Sequence, residues 1–168
     1  MRRRAVLIAA SLSLAAVGLS ACGFTPLYAS PGLTPGLSAI EVEQPQGRLG
    51  FLMREQLDDA FAHNESAPPQ WRMTLKLSES RSSRGVRVDN VADRFEYRVQ
   101  ADYSLNDVTT GRRVTGGSVR VAVTYANPNQ PYASIAGDQE GQDRAATEAA
   151  RQIQMQLATW LSGQRKVN

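Results

Sequence analysis

Three stretches of the chain alternate apolar and polar residues with a period of two, and they constrain the fold more than any other feature. In "WRMTLKLSES", Trp71, Met73, Leu75 and Leu77 alternate with Arg72, Thr74, Lys76 and Ser78. In "FEYRVQADYSLND", Phe95, Tyr97, Val99, Ala101, Tyr103 and Leu105 share one parity. In "VTGGSVRVAVTY", Val119, Val121, Val123 and Tyr125 do the same. Successive side chains of a strand point to opposite faces, so each stretch is a strand with one buried face. "VTTGRR" between the last two is a hairpin turn around Gly111. Gly116-Gly117 marks a bulge or a close backbone approach. "RSSRGVRVDNVADR" joins the first two and is not apolar enough for core.

Two stretches repeat at three- and four-residue steps instead. In "GRLGFLMREQLDDAFAH", roughly 47–63, the stripe is Leu49, Leu52, Met53, Leu57, Ala60 and Phe61. From about Asp138 to Leu161 it is Ala146, Ala149, Ile153, Leu157, Trp160 and Leu161. Asp138 and Glu140 suit the positive end of that helix's dipole, and Gly163 fits its stop. "ANPNQPYAS" before it reads as a loop. "AIEVEQP" is a short strand at 39–44 ended by Pro45. The order is strand, helix, three antiparallel strands, helix. It predicts an α+β two-layer sandwich, with two helices packed on one face of a four-stranded, mostly antiparallel sheet. The opposite sheet face should be polar and available to a partner.

The N-terminus reads as an address. "MRRR" is a positive segment and Ala5 to Leu19 is an apolar run of fifteen residues. A membrane-spanning helix needs about 20, whereas a signal peptide is served by a run of this length. The paired arginines hint at folded-protein export, but the apolar run begins at once, which favours general secretion. Leu19-Ser20-Ala21-Cys22 follows, ending on the only cysteine of the chain. An aliphatic residue, two small ones and a cysteine resemble a bacterial lipobox, in which the thiol accepts diacylglycerol and the new amino terminus is acylated. The alternative is a plain secretory signal in which Cys22 is incidental. Several acyl chains anchor stably where one would be marginal. Gly23, where an aspartate would resemble an inner-membrane retention signal, favours the outer membrane on its periplasmic side. The expected organisation is a signal peptide at 1–21, a lipidated Pro/Gly-rich tether without regular structure at 22–38, one α+β domain at 39–162 and a loose tail at 163–168.

Charge excludes the first reading that a net +3 invites. Arg2, Arg3 and Arg4 supply all of it, and past residue 21 the basic and acidic residues balance at 16 each. No nucleic-acid partner is therefore expected. The balance is uneven: residues 71–126 carry 10 basic and 6 acidic side chains, so an anionic ligand would meet the chain there. Arg81, Arg84, Arg87 and Arg94 flank the first hairpin tip, and Arg112 and Arg113 sit at the second. Guanidinium groups bind phosphates bidentately, which makes these six the candidates for contact with lipopolysaccharide or other anionic lipids. The competing reading is an ordinary surface neutralised by Asp89, Asp93, Glu96, Asp102 and Asp107.

Enzyme signatures are missing. His63 is the single histidine and reads as a surface residue; no Ser/His/Asp grouping, phosphate loop or metal-ligand spacing is present, and Asp58-Asp59 and Glu41/Glu43 read as solvated charge. No catalytic residue, cofactor or metal is expected. Binding or assembly is favoured, with a hydrolase of unrecognised site as the rival.

"ACGFTPLY", followed by a tether, a strand, a helix, a three-stranded meander and a helix, resembles the lipopolysaccharide-assembly lipoprotein family (LptE). Cys22, Gly23, Phe24, Pro26, Leu27 and Tyr28 match the family's mature N-terminus, and the layout extends the resemblance over most of 22–162. The resemblance implies two helices on a four-stranded sheet. It also implies a lipoprotein that helps fold, and plugs, the outer-membrane β-barrel of lipopolysaccharide export (LptD-like), and that binds lipopolysaccharide through basic residues. Only Cys22 carries over with a defined role, as the lipidated residue. The alternative function is another periplasm-facing envelope lipoprotein acting as a lipid- or peptidoglycan-binding module.

Overall fold

A computed structural model describes residues 33–64, 66–86, 92–126 and 131–164. Chain order runs α1 (Leu33–Ser38), β1 (Ile40–Val42), α2 (Gly47–Phe61), β2 (Trp71–Val86), β3 (Ala92–Asp107), β4 (Arg113–Ala126) and α3 (Pro131–Gln164). The strands form one mixed sheet in the order β1-β2-β3-β4. β1 pairs parallel with the first three residues of β2, and the connection between them is α2. β2, β3 and β4 form an antiparallel meander.

The expected α+β sandwich is what forms. Strand parity decides the layers: Met73, Tyr97, Val99, Ala101, Tyr103, Leu105, Val119, Val121, Val123 and Tyr125 are buried on one face. α2 adds Leu49, Met53, Leu57 and Phe61 to that core, and α3 adds Ile153, Leu157 and Leu161. α3 reaches the sheet through small residues, Ala145, Ala146, Ala149, Ala150 and Ala158, all buried. It begins beside Tyr125, whose ring a Cβ on Gly141 would meet at 2.8 Å. It ends where Trp160 meets Trp71 edge to face, ring centroids 5.7 Å apart. α3 therefore runs back along β4. Gly117 serves a close approach, as a Cβ there would lie 2.6 Å from Gln156 Oε1 on α3 and 2.9 Å from the Tyr103 hydroxyl. The irregularity in the β3–β4 register falls nearby, between Leu105 and Asn106.

Four expectations are corrected. Residues 33–38 form helix α1 where the Pro/Gly content predicts no regular element. Pro35 sits in its first turns, where proline costs little, and burial of Leu37 with Gly36 against Leu161 supplies the packing. α3 starts seven residues before the expected Asp138: Pro131 suits a first helical turn because its missing N–H has no partner to lose. Asp138 consequently lies inside the helix and serves side chains instead of the dipole. Gly163 is likewise helical and does not stop α3. The strands of the first hairpin also continue past the core, pairing as far as Arg84 with Arg94 and Val86 with Ala92.

α2 ends without glycine. Ala62 adopts a left-handed conformation (φ 50°), while its N–H donates to Asp59 O and that of His63 to Asp58 O, both at 3.0 Å. That is a Schellman closure, in which a Cβ costs about 1 kcal/mol. Ala62→Gly should therefore stabilise the domain by about 0.5–1 kcal/mol. Gly50→Ala should do the reverse despite the higher helix propensity of alanine. Its Cβ would lie 2.5 Å from the Pro45 carbonyl oxygen, an overpacking that costs about 1–3 kcal/mol. Urea unfolding of the two variants checks both signs.

Candidate functional site

The sheet face away from the helices carries the polar half of every strand. Along β2 it shows Arg72, Thr74, Lys76, Ser78, Ser80 and Arg84; along β3 Arg94, Glu96, Arg98, Gln100 and Asp102; along β4 Ser118, Arg120, Ala122 and Thr124. Near its centre is an open depression of about 400 Å³ bordered by Ser78, Ser80, Arg98, Gln100, Arg120 and Ala122. The depression exists because serine and alanine stand where longer side chains would fill it. Arg98 and Arg120 stand beside it on adjacent strands.

Ion pairing on this face is organised around few carboxylates. Glu96 accepts two hydrogen bonds from Arg84, Nε to Oε2 at 3.1 Å and Nη2 to Oε1 at 3.0 Å. It also pairs with Arg98. Two guanidinium groups thus share one carboxylate, whose side chain is only 14% exposed. The Arg84 hydrogen bonds hold the Glu96 carboxyl below its ordinary range, and Glu96 in turn raises the Arg84 guanidinium. Arg94 stands opposite Arg84 across the hairpin and makes no ion pair among the described residues. Arg120 Nε donates to Gln100 Oε1 at 3.1 Å, and Gln100 Nε2 donates to Asp102. Hydrogen bonds from Ser118 and Gln100, with the charges of Arg120 and Lys76, hold the Asp102 carboxyl low. Arg72 pairs with Glu41 of β1 at 3.1 Å.

The six arginine candidates are not one site. Arg84 and Arg94 share the outer face near the end of the β2–β3 hairpin. Arg81 has the opposite parity and faces the helices. Its guanidinium lies 3.9 Å from the Phe95 ring centroid and its Nη1 is 3.0 Å from Asp138 on α3. Asp138 also accepts from the Tyr125 hydroxyl at 2.6 Å, and burial leads the causes that push that phenol up to about 12. Arg81 is therefore a clamp between hairpin and helix. Arg112 and Arg113 stand at the other end of the strands, about 40 Å from Arg94 at 3.3 Å per residue. Arg87 and Cys22 lie outside the described residues. Strand parity places Arg98 and Arg120, with Arg72 and Lys76, on the cationic face opposite the apolar one, but does not show the depression beside them. His63 is half-buried rather than exposed, with its Nδ1 shielded and unpartnered, and it meets no catalytic group.

A family model described as lipopolysaccharide-assembly (LptE) matches residues 37–157. A crystal structure of a candidate lipoprotein from Caulobacter crescentus CB15 is 52% identical, covers 79% of this chain and 97% of its own, and superposes with a TM-score of 0.70. The rare lipoprotein B of Shewanella oneidensis is 14% identical over 75% of this chain and 96% of its own, with a TM-score of 0.56. Lipoprotein B of Nitrosomonas europaea is 12% identical over 73% and 82%, with a TM-score of 0.53. The last two show a shared fold. No match is found among curated proteins.

The Glu96 cluster has a pH signature. Its charged form is favoured in the fold, so its contribution to stability is complete above the ordinary value of 4.5 and is lost as pH falls through the lowered folded value. An NMR titration should place the Glu96 midpoint below 4.5, and Arg84→Ala should move it upward.

Proposed function

The chain belongs to the lipopolysaccharide-assembly (LptE) family, and we propose that it works as an outer-membrane lipoprotein that helps fold, and then plugs, the β-barrel exporting lipopolysaccharide. The observation that carries this reading is the family match across 37–157. Cys22 bears the diacylglycerol and N-acyl lipid, and the domain lies on the periplasmic side. Among the described residues no helix is long and apolar enough to cross a membrane. The role is assembly without turnover chemistry.

The outer sheet face is the part that meets the glycolipid. Arg84, Arg94, Arg98 and Arg120 present guanidinium forks on an uncovered surface, and the depression beside Arg98 and Arg120 accepts a group the size of a sugar phosphate. Arg87 remains a candidate from the sequence. Arg81, held by Asp138 and stacked on Phe95, supports the surface from behind.

The test is a pull-down of the protein from detergent-solubilised outer membranes, with partners identified by mass. A co-purifying outer-membrane barrel is expected, and depletion should remove lipopolysaccharide from the cell surface. A partner-free monomer in gentle detergent, or depletion that leaves surface lipopolysaccharide intact, overturns the reading. In a direct binding assay, R98E/R120E should weaken lipopolysaccharide affinity by about tenfold or more, from the loss of two charge-assisted contacts. Unchanged affinity removes the depression from the site.

A further inference from the structure

We infer that the open edge of β2, from Leu75 to Ser80, takes an extended segment of the barrel partner as an added strand, apolar where it faces Leu75 and Leu77 and acidic beside Lys76. The inference rests on the proposed function, which supplies the partner.

The two edges of the sheet are finished differently. β4 is one edge, and α3 reaches over it. Gln156 Nε2 donates to Ser118 O at 3.5 Å, and a Cβ on Gly137 would lie 3.0 Å from Ala126 O. On the other side, β1 pairs only with Trp71, Arg72 and Met73. β2 continues to Val86, and among the described residues this continuation pairs with no strand except β3.

Strand geometry tells which backbone groups are left open. β1 engages Trp71 N, which donates to Ala39 O at 3.2 Å, and Met73 O, which accepts from Glu43 N at 2.9 Å. Alternate residues of a strand turn their N–H and C=O groups to the same side. Leu75, Leu77 and Glu79 therefore turn theirs to the open edge, while Lys76 and Ser78 turn theirs to β3, opposite Asp102 and Gln100. An edge is commonly protected by a bulge, a proline or an inward-pointing charge. Here the β2–β3 register runs unbroken from Trp71 to Arg84, and no proline interrupts it. The first inward charges are Glu79, which accepts from the Tyr97 hydroxyl, and Arg81, which pairs with Asp138. They mark where the apolar part of the edge ends.

β1 shows what this edge accepts. Its Ile40 and Val42 turn inward and are buried, and its Glu41 turns outward onto Arg72 at 3.1 Å. Leu75 and Leu77 continue the inward row but are only half-buried, whereas Tyr103 and Ala101, their partners on β3, are buried. Lys76 follows Arg72 as the next cation on the outward row and is exposed. A second strand placed beyond β1 and obeying the same rule is apolar inward and carries a carboxylate outward. It would cover both leucines, pair with Lys76 and satisfy the open backbone groups. A closed barrel wall has no free strand edge to offer. The segment therefore belongs to a loop or a terminal extension of the partner.

Hydrogen exchange at residue resolution reads this pairing. Mature full-length protein is measured alone in detergent and in the barrel complex recovered by pull-down. Alone, the amides of Leu75, Leu77 and Glu79 should exchange fast and those of Lys76 and Ser78 slowly. In the complex the first three should slow by about tenfold or more. No slowing in a complex that contains the barrel overturns the inference and leaves the proposed function standing. Slow exchange at these three amides in the protein alone also overturns it, because a second copy or another segment of this chain then fills the edge. If no barrel co-purifies, the proposed function fails and the inference falls with it. Leu77→Pro removes one edge donor without touching a bond to β3. It should lower barrel recovery about fivefold relative to Leu77→Ala, which loses the same side chain but keeps the N–H. Equal recovery of the two variants overturns the inference.

Discussion

α3 can lie on the sheet only because the residues between them are small. A row of buried alanines lets the helix backbone approach, Gly141 makes room for the Tyr125 ring, and Gly117 makes room for Gln156 and Tyr103. With β-branched or aromatic residues along that row, α3 would stand off the strands and the core of Val99, Ala101 and Leu105 would lose its cover. Once α3 and α2 occupy one face, strand parity leaves the other face without a layer. A two-layer domain of this kind must therefore clothe that second face in polar side chains. Here the charged ones are mostly cationic, so the polarity of the outer face follows from the way the inner face is packed, and its sign from the arginines at the outward positions.

The sequence showed most of this because alternation and helical spacing are strong local signals. The stripes of α2 and α3 and the inward residues of β2, β3 and β4 are those their periods predict. What it concealed depends on contacts distant in the chain. Nothing local says that Leu37 is buried or that Gly36 packs against Leu161, so α1 reads as tether. Pro131 reads as a breaker because the same residue both ends helices and begins them. Arg81 has inward parity, yet a charged residue interrupts the apolar pattern and reads as part of a tip. Its place becomes intelligible only when Phe95 supplies a ring and Asp138, 57 positions later, a carboxylate. For the site, parity identified the face, while the depression beside Arg98 and Arg120 needed the register of three strands.

The cations of the described domain are held in two different ways. Near the β2–β3 hairpin, carboxylates from the protein hold Arg81 and Arg84 in fixed geometry. Near the β3–β4 turn, Arg112 and Arg113 have only solvent and backbone. A paired guanidinium is oriented but partly neutralised; an unpaired one keeps its full charge and loses orientation. The first suits recognition of a group with definite shape, and the second suits a diffuse anionic surface.

The sharing of Glu96 between Arg84 and Arg98 bears on how tightly an anion could be held. A phosphate arriving at Arg84 competes with a carboxylate already hydrogen-bonded to it at 3.0–3.1 Å, and one arriving at Arg98 competes with the same carboxylate. The net gain is the difference between two charge-assisted contacts and is smaller than either. Among the described residues Arg94 faces no such competitor, so it would engage first, with Arg84 turning from Glu96 to the ligand afterwards. Because Glu96 keeps Arg98 when Arg84 leaves, the carboxylate is not abandoned and the exchange is cheap in both directions. A site of this construction orients an anion without retaining it. That balance is the one the proposed contact with a glycolipid in transit would need, whereas a storage site would dispense with the competing carboxylate.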